Sequence, residues 1–378
     1  MTAPAHEPVR CSPGHDGECT PLVEENSKHP DHPVLVIHGP EIFDYGEAGW
    51  LIERIRPSRT IVAGVMARTA AEESELPVEF QGEPPSSVIR LLTRPCILAN
   101  HGKSPESGRI FGDIVASRLQ DSGQGLVQIE CSSRIVFVWD DGNRALASAL
   151  SHLTGFILEE AGSNRGVQRE ERRIRGCVPG EAVYVNGIII GRAMADTVVL
   201  RTIEGGIEPV SGLAPKAHGI EKLIRDGPID LSAAWCKSGA IRSAPPRRST
   251  RRERTGAVVV IDHCGHEIYR RIGHGCCGVL AIGDDTTAVC GHICTHRGIP
   301  VLGIVDGDGD GIVPESFAAG SVVIQAETEL DDDIGNELAP MAGGRSVVWD
   351  DWVKSVLQVL GDRVKVVVDT REHRDAVR

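Results

Sequence analysis

No stretch of this sequence approaches the roughly 20 consecutive apolar residues that a membrane-spanning helix needs. The first residues, MTAPAHEPVRCSPGHDGEC, carry charge, Pro and Gly where a secretion signal needs an apolar run. These absences lead us to expect a cytoplasmic protein without a membrane partner. Aromatic residues are scarce, at 4% of 378, so Val, Ile, Leu and Ala must build the cores. Positive charge is in deficit: 53 acidic residues face 40 basic ones, a net charge of -13. That argues against a protein that coats nucleic acid or anionic membrane, though a local basic groove remains compatible with it. In a reducing cytosol the 11 cysteines are expected as thiols or metal ligands rather than as a disulfide framework.

What is present is an alternation of strand-like and helix-like segments. The expected class is α/β: two open, mainly parallel Rossmann-like sheets with helices on their faces, joined by a small β-rich module. Residues 1–32 are polar and aperiodic and read as a disordered leader. An N-terminal α/β domain is expected over 33–165. In it HPVLVIHG, TIVAGVMA, CILAN, GLVQIEC and RIVFVWDD read as strands, and EAGWLIERI reads as a helix. The β-rich module spans 170–243, with Asn186-Gly187 as a tight turn. APPRRSTRRERTG makes 244–256 a basic linker, either a solvated connector or a phosphate-contacting arm. A C-terminal α/β domain follows over 257–370, with strands AVVVID, GVLAIG, IPVLGIV, SVVIQA and VKVVVD.

Several familiar motifs fail on inspection. NHGKSPESG holds Gly-Lys-Ser, but Ile97 stands where a phosphate-binding P-loop needs Gly. Ser104 or Ser107 is better read as a helix cap. VDGDGDG begins like an EF-hand calcium loop, but its twelfth position is Phe317 rather than a bidentate Glu. His38, Glu41 and Asp44 cluster after the first strand, as a second polar site or a helix entry. Five Cys and five His crowd residues 263–296 without a C-x2-C pair. Cys264, Cys276, Cys277, Cys290 and Cys294 are either buried thiols or ligands to zinc or an iron–sulfur cluster.

The strand ends carry the stronger signal. Loops at the carboxyl ends of parallel strands form ligand crevices. AVVVID ends in Asp262, GVLAIGDD in Asp284 and Asp285, and IPVLGIVD in Asp306, with Asp308 and Asp310 close behind. Hard cations such as Mg²⁺ take such oxygen ligands, often jointly with a substrate phosphate. Thr286 or Thr287 would cap the next helix, whose free N–H groups suit a phosphate.

This acid pattern resembles the Toprim domain of primases, topoisomerases and small nucleases, over roughly residues 256 to 330. The resemblance implies that Asp306 and Asp308 match its D-x-D. Asp262 stands where that family has glutamate, and the strand of Asp262 should neighbour the strand ending at Asp306. HGPEIFDYGEAG, NHGKSPESGRIFG, GDDTT and GIVDGDGDG together resemble an uncharacterised archaeal family of unknown function, found chiefly in methanogens. The expected function is therefore a Mg²⁺-dependent protein acting on a phosphate-bearing small molecule or a nucleic acid end. Its catalytic residues would be Asp262, Asp306 and Asp308, its metal ligands Asp306, Asp308, Asp262 and Asp310. Asp284, Asp285, Thr286 and Thr287 would line the phosphate. Two other readings stay open: a non-catalytic α/β ligand-binding or assembly protein, and a Cys/His metalloprotein.

Overall fold

The computed structural model describes residues 32–120, 123–163, 171–203, 206–225, 227, 229–231, 234, 236–239, 242–249, 254–306, 317–327 and 330–371. Residues 1–31 of the expected leader, residues 250–253 of the basic linker, and Asp308 and Asp310 lie outside them. No helix among the described residues is long and apolar enough to cross a membrane.

The N-terminal part runs β1 (Val34–His38), α1 (Glu41–Asp44), α2 (Glu47–Ile55), β2 (Arg59–Ala63), α3 (Val65–Ser74), β3 (Glu79–Gln81), α4 (Pro85–Arg90), β4 (Cys96–Asn100), α5 (Pro105–Leu119), β5 (Leu126–Glu130), β6 (Ile135–Trp139), α6 (Arg144–Thr154) and β7 (Ile157–Ala161). Its seven strands pair in the order β3-β2-β1-β4-β5-β6-β7. All pairs are parallel except the β5–β6 hairpin. β1, β2 and β4 are mostly apolar and largely buried, as strands covered by helices on both faces must be. Ser104 caps α5 in a reciprocal box with Ser107, so the Gly-Lys-Ser segment is a helix entry.

Seven short strands follow: β8 (Glu171–Arg175), β9 (Ala182–Val185), β10 (Ile188–Ala193), β11 (Thr197–Ile203), β12 (Gly206–Ser211), β13 (Leu213–Pro215) and, after α7 (Ala217–Arg225), β14 (Cys236–Ser238). They form two antiparallel sheets, β13-β10-β9-β14 and β12-β11-β8. Asn186 and Gly187 both adopt positive φ between Val185 and Ile188, the two-residue turn that an Asn-Gly pair favours.

The C-terminal part comprises β15 (Thr255–Asp262), α8 (Ile268–Arg271), β16 (Cys276–Ile282), α9 (Asp284–Arg297), β17 (Val301–Val305), β18 (Val322–Ala326), α10 (Asp331–Ala342), β19 (Val347–Val348), α11 (Trp349–Leu360) and β20 (Val364–Asp369). The strand order is β19-β15-β16-β17-β18-β20. β15 to β18 are parallel, while β19 and β20 pair antiparallel at the two edges. The protein is thus a mixed α/β fold.

One expectation is corrected here. β16 lies between β15 and β17, so the strand of Asp262 does not neighbour the strand ending at Asp306. The Toprim-like strand arrangement is therefore not carried further. Each crossover here is short and returns to the adjacent position, which orders the strands 15-16-17-18 as in the chain.

The parts are tied together by buried charge. Arg242, with its side chain 4% exposed, binds Asp44 and reaches Glu73 Oε2 at 2.8 Å. Tyr269 Oη and Thr69 Oγ1 meet at 2.7 Å. The segment around α9 is consequently enclosed on all sides, with Asp285 through Thr295 all buried.

Candidate functional site

Three carboxyl strand ends, two of them leading into helix starts, deliver acids to one small cavity. β17 ends at Val305 and places Asp306 next. β16 ends at Ile282, and the chain turns at Gly283 into α9, whose first residues are Asp284 and Asp285. β18 leads to α10, which opens with Asp331 and Asp332. The β-rich module supplies the roof. Gly187 of the hairpin turn, Ile188 and Ile189 of β10, and Lys216 and Lys222 around α7 complete a cavity of about 20 Å³ with His263, Asp284, Asp285, Asp306 and Asp331. That is room for about one water or one small ion.

Asp331 and Asp285 each have an ammonium partner. Lys222 Nζ donates to Asp331 Oδ1 at 2.6 Å, and Lys237 Nζ donates to Asp285 Oδ1 at 2.7 Å. Asp284 instead shares a hydrogen bond with Asp306, which requires one of the two carboxyls to keep its proton. Burial, then the charges of Asp306 and Asp331, push Asp284 up to about 8. Asp284 Oδ1 and Asp331 Oδ2 are buried without a hydrogen-bond partner among the described residues. Asp331 is 1% exposed, so its unpaired oxygen is shut off from bulk solvent. His218 Nε2 lies 3.9 Å from Asp306 Oδ2 at the rim.

Beside the cavity stands a second group. Ligand atoms of Asp262, His263 and Asp332 all lie within 4.8 Å of one another. His263 Nδ1 donates to Asp262 Oδ1 at 2.6 Å and lies 3.7 Å from Asp332 Oδ1. Burial alone would lower the imidazole pKa, but Asp262 and Asp332 outweigh it and raise it. Asp332 is itself pushed up by burial, partly offset by His263 and Lys222.

The expected site residues thus divide. Asp284, Asp285 and Asp306 line the cavity, and Asp262 adjoins it through His263. Thr286 and Thr287 do not cap α9. The helix begins two residues earlier, and both threonines lie in its first turn, 1% and 0% exposed. The N-cap is Gly283, which gives no side-chain cap. Its φ is +98°, and an added Cβ would meet His263 Nε2 at 2.7 Å. We expect Gly283→Ala to cost about 1–3 kcal/mol through backbone strain and to displace His263. Chemical denaturation reads the first effect and the pH titration of the His263 ring signal the second.

The cysteines sit elsewhere. Cys264, Cys276, Cys290 and Cys294 pack in an apolar cluster with Ile261, Ile268 and Phe317, and Cys277 joins the cluster on the sheet's other face. Burial raises the Cys290 and Cys294 thiols well above their ordinary value, which disfavours the thiolate that a soft metal binds. His38 donates from Nδ1 to Ala63 O at 2.9 Å, Glu41 opens α1, and Asp44 holds Arg242.

Sequence reasoning passed over Asp331, Asp332 and Lys222, and met His263 only as one of the five His crowded with the cysteines. The first two had a weaker signal, since DDD at 331–333 lies beyond the carboxyl end of the apolar run SVVIQA, though four residues separate them. Lys222 had none, because it reaches Asp331 across 109 positions of chain.

A family model described as an uncharacterised protein conserved in archaea (DUF2117) matches residues 35–342. The uncharacterised protein MJ0065 of Methanocaldococcus jannaschii is 33% identical over 329 residues, 80% of this chain and 89% of that protein. No solved structure matches the chain.

Proposed function

The chain belongs to this archaeal family, and we propose that it is a Mg²⁺-dependent protein acting on a phosphate-bearing substrate at the carboxyl edge of its C-terminal sheet. The observation that carries this reading is the pair of orphaned buried oxygens, Asp284 Oδ1 and Asp331 Oδ2, on a cavity of about 20 Å³ that Asp306 also lines. Such crowding of carboxyls is unfavourable unless a proton or a cation sits among them. An all-carboxylate donor set fits a hard divalent cation rather than zinc or copper. Asp284, Asp306 and Asp331 would hold it. A bound Mg²⁺ would neutralise charge on a phosphoryl oxygen. Lys216 and His218, at the cavity and its rim, would face the ligand's remaining oxygens.

One observation favours a second reading, in which the cation is held but nothing is turned over. Gly187 of the roof packs so close that a Cβ there would lie 2.9 Å from His263 O. A roof seated this tightly admits an ion more readily than a substrate.

Thermal unfolding with and without Mg²⁺ separates these cases, run beside hydrolysis of mononucleotide, single-stranded and duplex substrates. We expect Mg²⁺ to raise the wild-type midpoint by a few degrees at saturating concentration and to leave Asp306→Asn unmoved. Turnover lost in Asp306→Asn supports the enzyme. A shift without turnover supports the binding protein. No shift removes both.

A further inference from the structure

At the opposite edge of the C-terminal sheet lies an open cavity of about 790 Å³. We propose that it binds a nucleoside phosphate, at a site separate from the acidic crevice. The basic linker forms one wall and is anchored rather than free. Ser249 N donates to Thr295 O at 3.2 Å, and Arg247 Nη1 donates to Glu75 Oε1 at 3.0 Å. The acids of the opposite wall are already matched. Glu72 accepts from Arg68 and Arg297, and Glu75 accepts from Arg247. Arg248 and His274 also line the cavity and make no ion pair among the described residues. Arg297 Nε and His296 Nδ1 are buried without a hydrogen-bond partner among the described residues. Arg297 is already paired through its other nitrogens with Glu72, and His296 Nδ1 has Glu73 Oε1 at 3.8 Å, so the unmatched charge among the described residues is that of Arg248 and His274, on a chain whose net charge is -13.

The size and the second wall narrow the ligand. Small-ligand sites span roughly 300–1,000 Å³, so this one exceeds what a bare phosphate fills. Ile272 and Ile299 give it an apolar side, with Gly273, Gly275 and Gly298 leaving the backbone open to close approach. A planar base fits that side. Phosphates belong by the charges of Arg248 and His274, while the nearby C-terminal carbonyls of α9, which repel anions, accept from ribose hydroxyls or an exocyclic amine.

The test is calorimetric titration of ATP, AMP and inorganic phosphate into the full chain in EDTA, so that no divalent cation links the two sites. We expect saturable binding of ATP, weaker binding of AMP, and little binding of phosphate. Arg248→Ala with His274→Ala should weaken ATP by about tenfold or more. Both residues are exposed, so the unfolding midpoint should hold. Asp306→Asn should bind ATP as the wild type does. The proposal is overturned by the absence of saturable ATP binding at millimolar concentration, by binding indifferent to the double substitution, or by loss of binding in Asp306→Asn. It is equally overturned if a single-stranded RNA oligonucleotide, and no mononucleotide, binds through Arg248 and His274.

Discussion

Lys222→Met is expected to destabilise the metal-free protein by about 3–5 kcal/mol, as the loss of one partner from a buried ion pair does. Lys222 and Asp331 have side chains 6% and 1% exposed, and the ammonium also lies 3.7 Å from Asp332 Oδ2. Removing it leaves Asp331 charged, buried and short of donors, with Asp332 and Asp306 nearby. Burial alone would lower the Lys222 pKa, but Asp331 and Asp332 outweigh it and raise it, so the pair is intact at neutral pH. The double substitution Lys222→Met with Asp331→Asn should recover most of the loss, since it removes both charges from a site closed to bulk solvent. Urea unfolding of the four proteins measures this as a coupling energy. Mg²⁺ should rescue Lys222→Met by more than it stabilises the wild type, because the cation replaces the missing positive charge. A loss below about 1 kcal/mol in Lys222→Met would mean that the pair contributes no more than a surface bridge.

The second large effect is a dependence of stability on pH. Asp284 holds its proton up to about pH 8 in the folded protein, against 3.8 for the free side chain. A raised carboxyl pKa favours the fold while the proton is on. Its contribution is therefore complete below about pH 4 and is lost as pH rises through about 8. The metal-free wild type should lose on the order of several kcal/mol over that window, relative to Asp284→Asn, which has no proton to lose there. Asp284→Asn should accordingly be the more stable protein at pH 8, and the two curves should converge toward pH 4. Saturating Mg²⁺ should flatten the wild-type curve. Parallel curves for the two proteins would show that Asp284 ionises normally.

Local features were legible because their causes are local. A short apolar run ended by Gly or Asp is a buried parallel strand, and β1, β16 and β17 lie where such runs occur. Asn186-Gly187 needs no context to make its turn. Cap placement was less legible. GDDTT offers two threonines, yet Gly283 at positive φ starts the helix before them and they are buried in its first turn. The order of strands was not legible at all. Nothing in AVVVID or IPVLGIVD says that β16 comes between them, and a resemblance in acid spacing supplied the wrong neighbour. The cavity shows the same division. Its acids could be read from strand ends, whereas its roof and its lysines come from a module folded over from elsewhere in the chain.

The central claim is that Asp284, Asp306 and Asp331 hold a divalent cation in place of a proton. Calorimetric titration of Mg²⁺ into the metal-free protein at pH 7, in two buffers of different ionisation enthalpy, counts cations and protons together. With Asp284 titrating at about 8, the account predicts about one Mg²⁺ bound per chain and close to one proton released, with both lost in Asp284→Asn with Asp306→Asn. No binding at millimolar Mg²⁺, or binding that releases no proton, would contradict it.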